Sequence, residues 1–261
     1  MHLGRPAVAA VLMFLLSFTI SIPGQGNSDI RKSPEGPKIL FIGNSLTYAN
    51  DMPLIVEAFA KAKGMKRFEV KMAALPNFGL EDHWNRKETR KILTGKKWDF
   101  VVMQQGPSAS KEGRAMLLEY GGLLAAEIRK GGGMPAIYMV WPSVSRANDF
   151  EGVRESYQMA ANEFDGPLLP VGEAWLIALT IDRSIQLFSE DGFHPTEAGS
   201  YLAALVIFEQ LFQKSAIGLP TRVVLGSGRT IDIPSKEARI LQQAAAEANK
   251  KFGKLASDVV R

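Results

Sequence analysis

The sequence predicts an α/β domain: a central parallel sheet of about five strands with helices on both faces. Three observations carry that prediction. From Lys38 to Phe212, short apolar runs alternate with longer runs of helical period, the pattern of strands joined by crossover helices. The chain has 261 residues, enough for one large α/β domain. Its composition is ordinary, 46% hydrophobic and 22% charged, which excludes disordered, collagen-like and coiled-coil chains.

The elements follow in order. Lys38–Asn44, Lys-Ile-Leu-Phe-Ile-Gly-Asn, reads as a buried strand running into a loop. The stretch from Met52 to Lys63 places apolar residues at 52, 55, 56, 59 and 60, a helical period. The second strand is expected over Phe68–Ala73, and the third over Asp99–Gln104 with Phe-Val-Val-Met at its centre. Lys111–Lys130 is a long helix stopped by Gly131, Gly132 and Gly133. A strand at Ala136–Trp141, a helix at Phe150–Phe164 and a short strand at Leu168–Val171 come next. Helices are expected over Glu173–Asp182 and Pro195–Phe212. Past Gly218, Arg222–Leu225 and Thr230–Ile233 flank Gly226-Ser-Gly-Arg229 as a hairpin, and a helix runs from Ser235 to about Phe252.

Upstream, Ala7–Ile22 carries no charge and is followed by Pro23-Gly24-Gln25-Gly26. This reads as a secretory signal peptide over residues 1–26, with a polar linker over 27–37 and one domain over 38–261, of which 219–261 is the hairpin-and-helix extension. The expected location is secreted or periplasmic; the alternative is an uncleaved anchor, although the apolar run is shorter than the roughly 20 residues of a spanning helix. There is no Cys, which excludes disulfides, thiolate nucleophiles and Cys-ligated metals. Histidines stand only at 2, 83 and 194, so removal of the leader leaves two, too few for the usual zinc site built from histidine alone. No metal or cofactor is called for. A net charge of +4, without a basic stripe bearing aromatics, points away from nucleic acid. No phosphate loop, dinucleotide fingerprint or Gly-x-Ser-x-Gly elbow occurs.

In a parallel sheet, ligands bind beyond the carboxyl ends of the strands. Two segments there carry chemistry. Asp191-Gly-Phe-His-Pro195 can fold back so that the carboxylate accepts from the imidazole Nδ1 and leaves Nε2 free as a base, with Pro195 as first residue of the next helix. Its plainer reading is a turn with a helix cap. Ser45, just after the first strand, can present its hydroxyl at the sheet edge beside helix N–H groups; its plainer reading, shared with Thr47, is a helix cap. Together Ser45, Asp191 and His194 supply nucleophile, orienter and base. His83 is expected to be structural. Trp141 and Trp175 are read either as a sugar-stacking wall or as core packing.

These residues resemble a known family. Phe41-Ile-Gly-Asn-Ser-Leu-Thr47 is similar to the first block of the SGNH (GDSL-type) hydrolases, and Asp191-Gly-Phe-His-Pro195 to their last block. Met139-Val-Trp-Pro142 and Pro170-Val-Gly-Glu-Ala-Trp175 resemble secreted bacterial members. The resemblance implies a three-layer α/β/α flavodoxin-like fold and ester hydrolysis through an acyl-serine, with Ser45 as nucleophile, His194 as base and Asp191 as its partner. It also implies an oxyanion hole of the Ser45 N–H, a second-block glycine and a third-block Asn. The chain departs from the pattern in both later blocks. The second offers Asn77 or Gly79, of which Gly79 has the right residue type. The third reads Gly106-Pro-Ser-Ala109 without Asn; Gln105 or Gln104 can supply the carboxamide, and strand alternation lets only one of them face the site, while the plainer reading of both is a satisfied buried amide near the strand end. The expected substrate is a small acyl ester, acetyl on a carbohydrate by analogy. A glycan-binding module without activity and an O-acyltransferase are the alternatives.

Overall fold

A computed structural model describes residues 1, 2, 4 and 36–253. The expected leader and linker lie outside the described residues except at Met1, His2, Gly4, Gly36 and Pro37. Five strands form the main sheet: β1 (Lys38–Gly43), β2 (Glu69–Ala74), β3 (Phe100–Met103), β4 (Met134–Tyr138) and β5 (Leu168–Leu169). Their order is β2-β1-β3-β4-β5 and every pairing is parallel, with Ile39 opposite Val70 on one side and Phe100 on the other. Ile39 to Ile42 are fully buried, because a central strand covered on both faces has no solvent side. The edge strand β2 leaves Lys71 exposed, and a charge on an open edge discourages pairing with another chain.

The helices are α1 (Ser45–Tyr48), α2 (Met52–Ala62), α3 (Leu80–Asn85), α4 (Lys87–Thr94), α5 (Lys111–Lys130), α6 (Phe150–Glu163), α7 (Val171–Ile181), α8 (Glu197–Phe212) and α9 (Ser235–Phe252). Helix α2 turns Ile55, Val56, Phe59 and Ala60 inward. The Ser110 hydroxyl caps α5 by accepting from the Gly113 N–H at 3.0 Å. Helix α8 is buried almost all round, since α2, α7 and α9 pack on it; Phe59 meets Tyr201 edge-on at 5.2 Å. That is the structural use of the C-terminal extension: Leu241, Ala244, Ala245 and Ala248 of α9 cover an apolar helix. Its hairpin is β6 (Arg222–Val224) with β7 (Thr230–Asp232), antiparallel. Among the described residues, no helix is long and apolar enough to cross a membrane.

Several bounds differ from expectation for local reasons. Strand β4 lies at 134–138 and not 136–141, because β5 offers two residues and pairing ends with Tyr138 against Leu169. Helix α7 begins at Val171, directly after Pro170. Pro195 is not the first residue of α8: it bridges to Phe188, and Thr196 caps the helix by accepting from the Gly199 N–H at 3.2 Å. Helix α4, absent from the sequence reading, buries only Thr89 and Leu93, too little for a periodic signal.

The strand order places the site. Strand β2 is laid on one side of β1 and β3 on the other, so the order in which strands are added switches sides at β1. The crevice beyond the carboxyl ends of such neighbours is where open parallel sheets hold ligands. Those ends are Gly43, leading to Asn44-Ser45, and Met103, leading to Gln104-Gln105.

Candidate active site

The turn after β1 is built so that Ser45 is not its cap. Asn44 takes that role: its Oδ1 accepts from the Leu46 N–H at 3.1 Å, and its Nδ2 donates to the Phe78 carbonyl at 2.9 Å. Ser45 becomes the first residue of α1, with its N–H among the donors that a helix start leaves without an intrahelical acceptor. Thr47 is buried and donates to Gln104 Oε1 at 2.8 Å; the same oxygen accepts from the Asn44 N–H at 2.9 Å. A β-carbon at Gly43 would collide with that oxygen at 2.5 Å, so only glycine lets the turn close over Gln104.

The last block folds back on itself. Gly192 takes a left-handed conformation, φ +68°, which lets Asp191 turn toward the two residues that follow. Asp191 Oδ1 accepts from the Phe193 and His194 N–H groups, both at 2.9 Å, and from the Ser189 hydroxyl at 3.0 Å. Its Oδ2 accepts from His194 Nδ1 at 2.5 Å. The imidazole bond, then the two backbone N–H bonds, hold the Asp191 carboxyl well below the usual carboxylate range. With Nδ1 donating, His194 Nε2 is left as an acceptor, and the Ser45 hydroxyl donates to it at 2.9 Å. Ser45, Asp191 and His194 thus come together as predicted, from opposite ends of the domain.

The expected oxyanion residues part company. Gln104 is fully buried beneath the turn, its Oε1 shared by Asn44 and Thr47 and its Nε2 donating to the Gln105 carbonyl at 2.7 Å. It is the glutamine that does not face the site. Gln105 does, in a cavity of ≈ 750 Å³ also lined by Asn44, Asn77, Phe78, Gly79 and Phe193. Its Oε1 accepts from the Leu80 N–H at 3.1 Å, and its Nε2 donates to Ser108 Oγ and the Gly113 carbonyl, both at 3.3 Å. The Gly79 N–H donates to Asp82 Oδ2 at 2.8 Å in the capping box of α3. Asn77 is left-handed, φ 61°, and lines the same cavity.

Trp141 and Trp175 are not a sugar wall. They stack at 3.5 Å, tilted by 13°, and each is 1% exposed. Trp141 Nε1 donates to the Phe193 carbonyl at 3.0 Å, bracing the histidine loop from behind. The aromatic rings that do border the cavity are Phe78 and Phe193, which sequence reasoning missed because single aromatics in loops carry no period. Ser189 and Tyr157 were missed too. The buried Tyr157 hydroxyl donates to the Gln105 and Gly106 carbonyls, at 2.6 and 2.9 Å, and fixes the third block.

His83 is structural, as expected. It is fully buried; Nε2 donates to the Gly43 carbonyl at 2.8 Å and Nδ1 accepts from the Thr89 hydroxyl at 3.1 Å. Burial lowers its pKa, outweighing the Gly43 hydrogen bond and the nearby Asp82 carboxylate. The folded state therefore refuses a proton that the unfolded chain accepts below about pH 6.5. Stability is expected to fall as pH drops through that value, by at most about 1.4 kcal/mol per pH unit for one proton. Urea midpoints between pH 7.5 and 5.5 check this: the slope flattens in His83→Gln if the assignment holds and is unchanged if another group is responsible.

No family model matches the sequence, and no curated protein does either. Solved structures do. A Slackia heliotrinireducens protein assigned as an SGNH hydrolase is 29% identical, the match covering 67% of this chain and 98% of that one at a TM-score of 0.56. A DUF4886 family protein from Bacteroides uniformis is 21% identical over 85% of this chain and 98% of its own, TM-score 0.67. An acetyl xylan esterase is 15% identical over 66% and 98%, TM-score 0.56. The last two share the fold; the first shares sequence as well. This chain is thus similar in fold to SGNH hydrolases, and in sequence to one of them.

Proposed function

We propose that the chain is a serine esterase that hydrolyses small acyl esters, acetyl above all, through an acyl-serine intermediate. The observation that carries this reading is the continuous relay from the Ser45 hydroxyl to His194 Nε2 and from His194 Nδ1 to Asp191. Ser45 Oγ attacks the acyl carbonyl while its proton passes to Nε2, and Asp191 stabilises the imidazolium. Collapse of the tetrahedral intermediate breaks the ester C–O bond, and Nε2 returns the proton to the departing alcohol. Water, deprotonated by the same nitrogen, then releases the acid and restores Ser45. The Ser45 N–H, Gly79 and Gln105 are assigned to the oxyanion. Both Gln105 N–H bonds are long, and a charged oxyanion outcompetes neutral acceptors at that distance. Gln105→Ala is accordingly expected to lower kcat by about 100- to 1,000-fold with little change in KM; an unchanged kcat removes Gln105 from the hole.

A carbohydrate acetyl ester suits a cavity that sets Asn77, Ser108 and Ser143 among Phe78 and Phe193, and one fold relative is named for acetyl xylan. Export to the periplasm or beyond, proposed from Ala7–Ile22, would bring the enzyme to such polymers. The engaged donors of Gly79 and Gln105 favour the second reading, glycan binding without turnover. A fluorophosphonate probe with peptide mapping, beside acetate release from acetylated xylan, decides between them. Labelling at Ser45 with acetate release supports the esterase. Saturable xylan binding with neither supports the binding module, and acetyl transfer to an added sugar alcohol identifies an acyltransferase.

A further inference from the structure

Between α1 and α2 the chain takes an unusual path. Asn50 and Asp51 are both left-handed, φ 53° and 57°. Two such residues in succession persist only where their surroundings hold them. The Asn50 Nδ2 donates to the Pro195 carbonyl at 3.0 Å and to Ser200 Oγ at 2.9 Å. Pro195 is the residue after His194, and Ser200 lies on the helix that follows. The Asn50 Oδ1 accepts from Arg229 Nη2 at 2.9 Å, and that nitrogen also donates to Glu197 Oε1 at 2.8 Å. Ser227, in the same hairpin turn, donates to Asp51 Oδ2 at 3.0 Å. Besides the Ser45–His194 bond, the two segments are joined by the bonds of Asn50 and by a 3.3 Å bond from the Ser200 hydroxyl to the Ala49 carbonyl.

We propose that Asn50 is a positioning residue that sets the Ser45–His194 distance, and that the β6–β7 hairpin is a strap holding Asn50 in place through Arg229. The proposal rests on the esterase reading for its kinetic consequence. One amide spans the turn that carries the nucleophile and the loop that carries the base. Its donor end fixes the base loop, and its acceptor end is occupied by a cation delivered by the C-terminal extension. Asn50 itself touches no reacting atom. Its effect falls on alignment and not on substrate contact, so it belongs to kcat and not to KM.

Asn50→Asp isolates the donor: aspartate tolerates the left-handed backbone and still accepts from Arg229, but cannot donate to the Pro195 carbonyl. It is expected to lower kcat by about 10- to 100-fold at constant KM, the scale of a misalignment near 1 Å. Arg229→Ala, at an exposed position, is expected to lower kcat several-fold, and Arg229→Lys, which keeps a cation beside Asn50 and Glu197, to restore part of that. Fluorophosphonate labelling of Ser45 is expected to slow in parallel, and thermal scans show whether the variants remain folded. Wild-type kcat in Asn50→Asp, a loss confined to KM, or no rescue by lysine overturns the proposal. Hydrogen exchange of peptides spanning 44–51 tests the strap without turnover. Faster exchange in Asn50→Asp and Arg229→Ala supports it, and unchanged exchange overturns it. If the wild-type chain neither hydrolyses esters nor takes the probe, while the two variants still exchange faster than it does, the esterase reading is defeated and the strap stands.

Discussion

Ser45→Ala is expected to reduce kcat for p-nitrophenyl acetate by about 1,000,000-fold, the scale found when the nucleophile of a serine triad is removed. The remaining rate belongs to binding and the oxyanion donors. Asp191→Asn tests the same relay from its other end. An asparagine amide would donate to His194 Nδ1, forcing the imidazole proton onto Nε2. That nitrogen then has no lone pair for the Ser45 proton, and a loss of about 10,000-fold follows. Steady-state turnover of both variants beside wild type is the measurement. A Ser45→Ala protein that keeps a tenth of the wild-type kcat would exclude the acyl-serine route. An Asp191→Asn protein at full rate would show that the carboxylate only shapes the loop.

The second large effect is on stability. Glu173, in the first turn of α7, is 2% exposed. Arg154 of α6 binds both its oxygens, through Nε to Oε1 and through Nη2 to Oε2 at 3.1 Å. The same guanidinium donates to Glu151 and lies over the rings of Phe150 and Phe252, at 5.2 and 5.6 Å. It therefore joins α6, α7 and the end of α9. Arg154→Met leaves a carboxylate buried without its cation, which costs about 3–5 kcal/mol. At about 2–4 °C per kcal/mol for a domain of this size, Tm is expected to fall by about 10 °C. Adding Glu173→Met removes the stranded charge and is expected to recover most of the loss, because an apolar pair of similar volume often replaces a buried ion pair without penalty. Calorimetry of the single and double variants checks both statements; a single variant with wild-type Tm would mean that the helix N-terminus alone satisfies Glu173.

Much of the fold was legible because the sheet is covered on both faces. Its inner strands are near-continuous apolar runs, and helices such as Lys111–Lys130 and Ser235–Phe252 coincide with their predicted bounds. Ser45, Asp191 and His194 were legible because each lies in a short motif whose chemistry is local. What was not legible depends on partners far along the chain. Alternation says that one of Gln104 and Gln105 faces the cleft, but only the position of Thr47 under the first turn decides which. The partner of His83, on α3, is the carbonyl of Gly43 at the end of β1. The two tryptophans are core because they lie against each other, a fact that no spacing contains. Asn50 looks like an ordinary loop residue until Pro195 and Arg229 arrive beside it.

The turn from Ser189 to His194 is closed by its own bonds. Ser189 donates both its N–H and its hydroxyl to the His194 carbonyl, and Asp191 accepts from residues within the same turn. Asp191 and His194 are therefore paired by the turn that carries them, whose backbone takes outside bonds at the Gly192 and Phe193 carbonyls. Folding has one long-range alignment left to make, that of this turn with the serine. A change of scaffold around it would alter where the imidazole points and not how it is held, so this segment is a unit that could be grafted whole onto another loop of matching span.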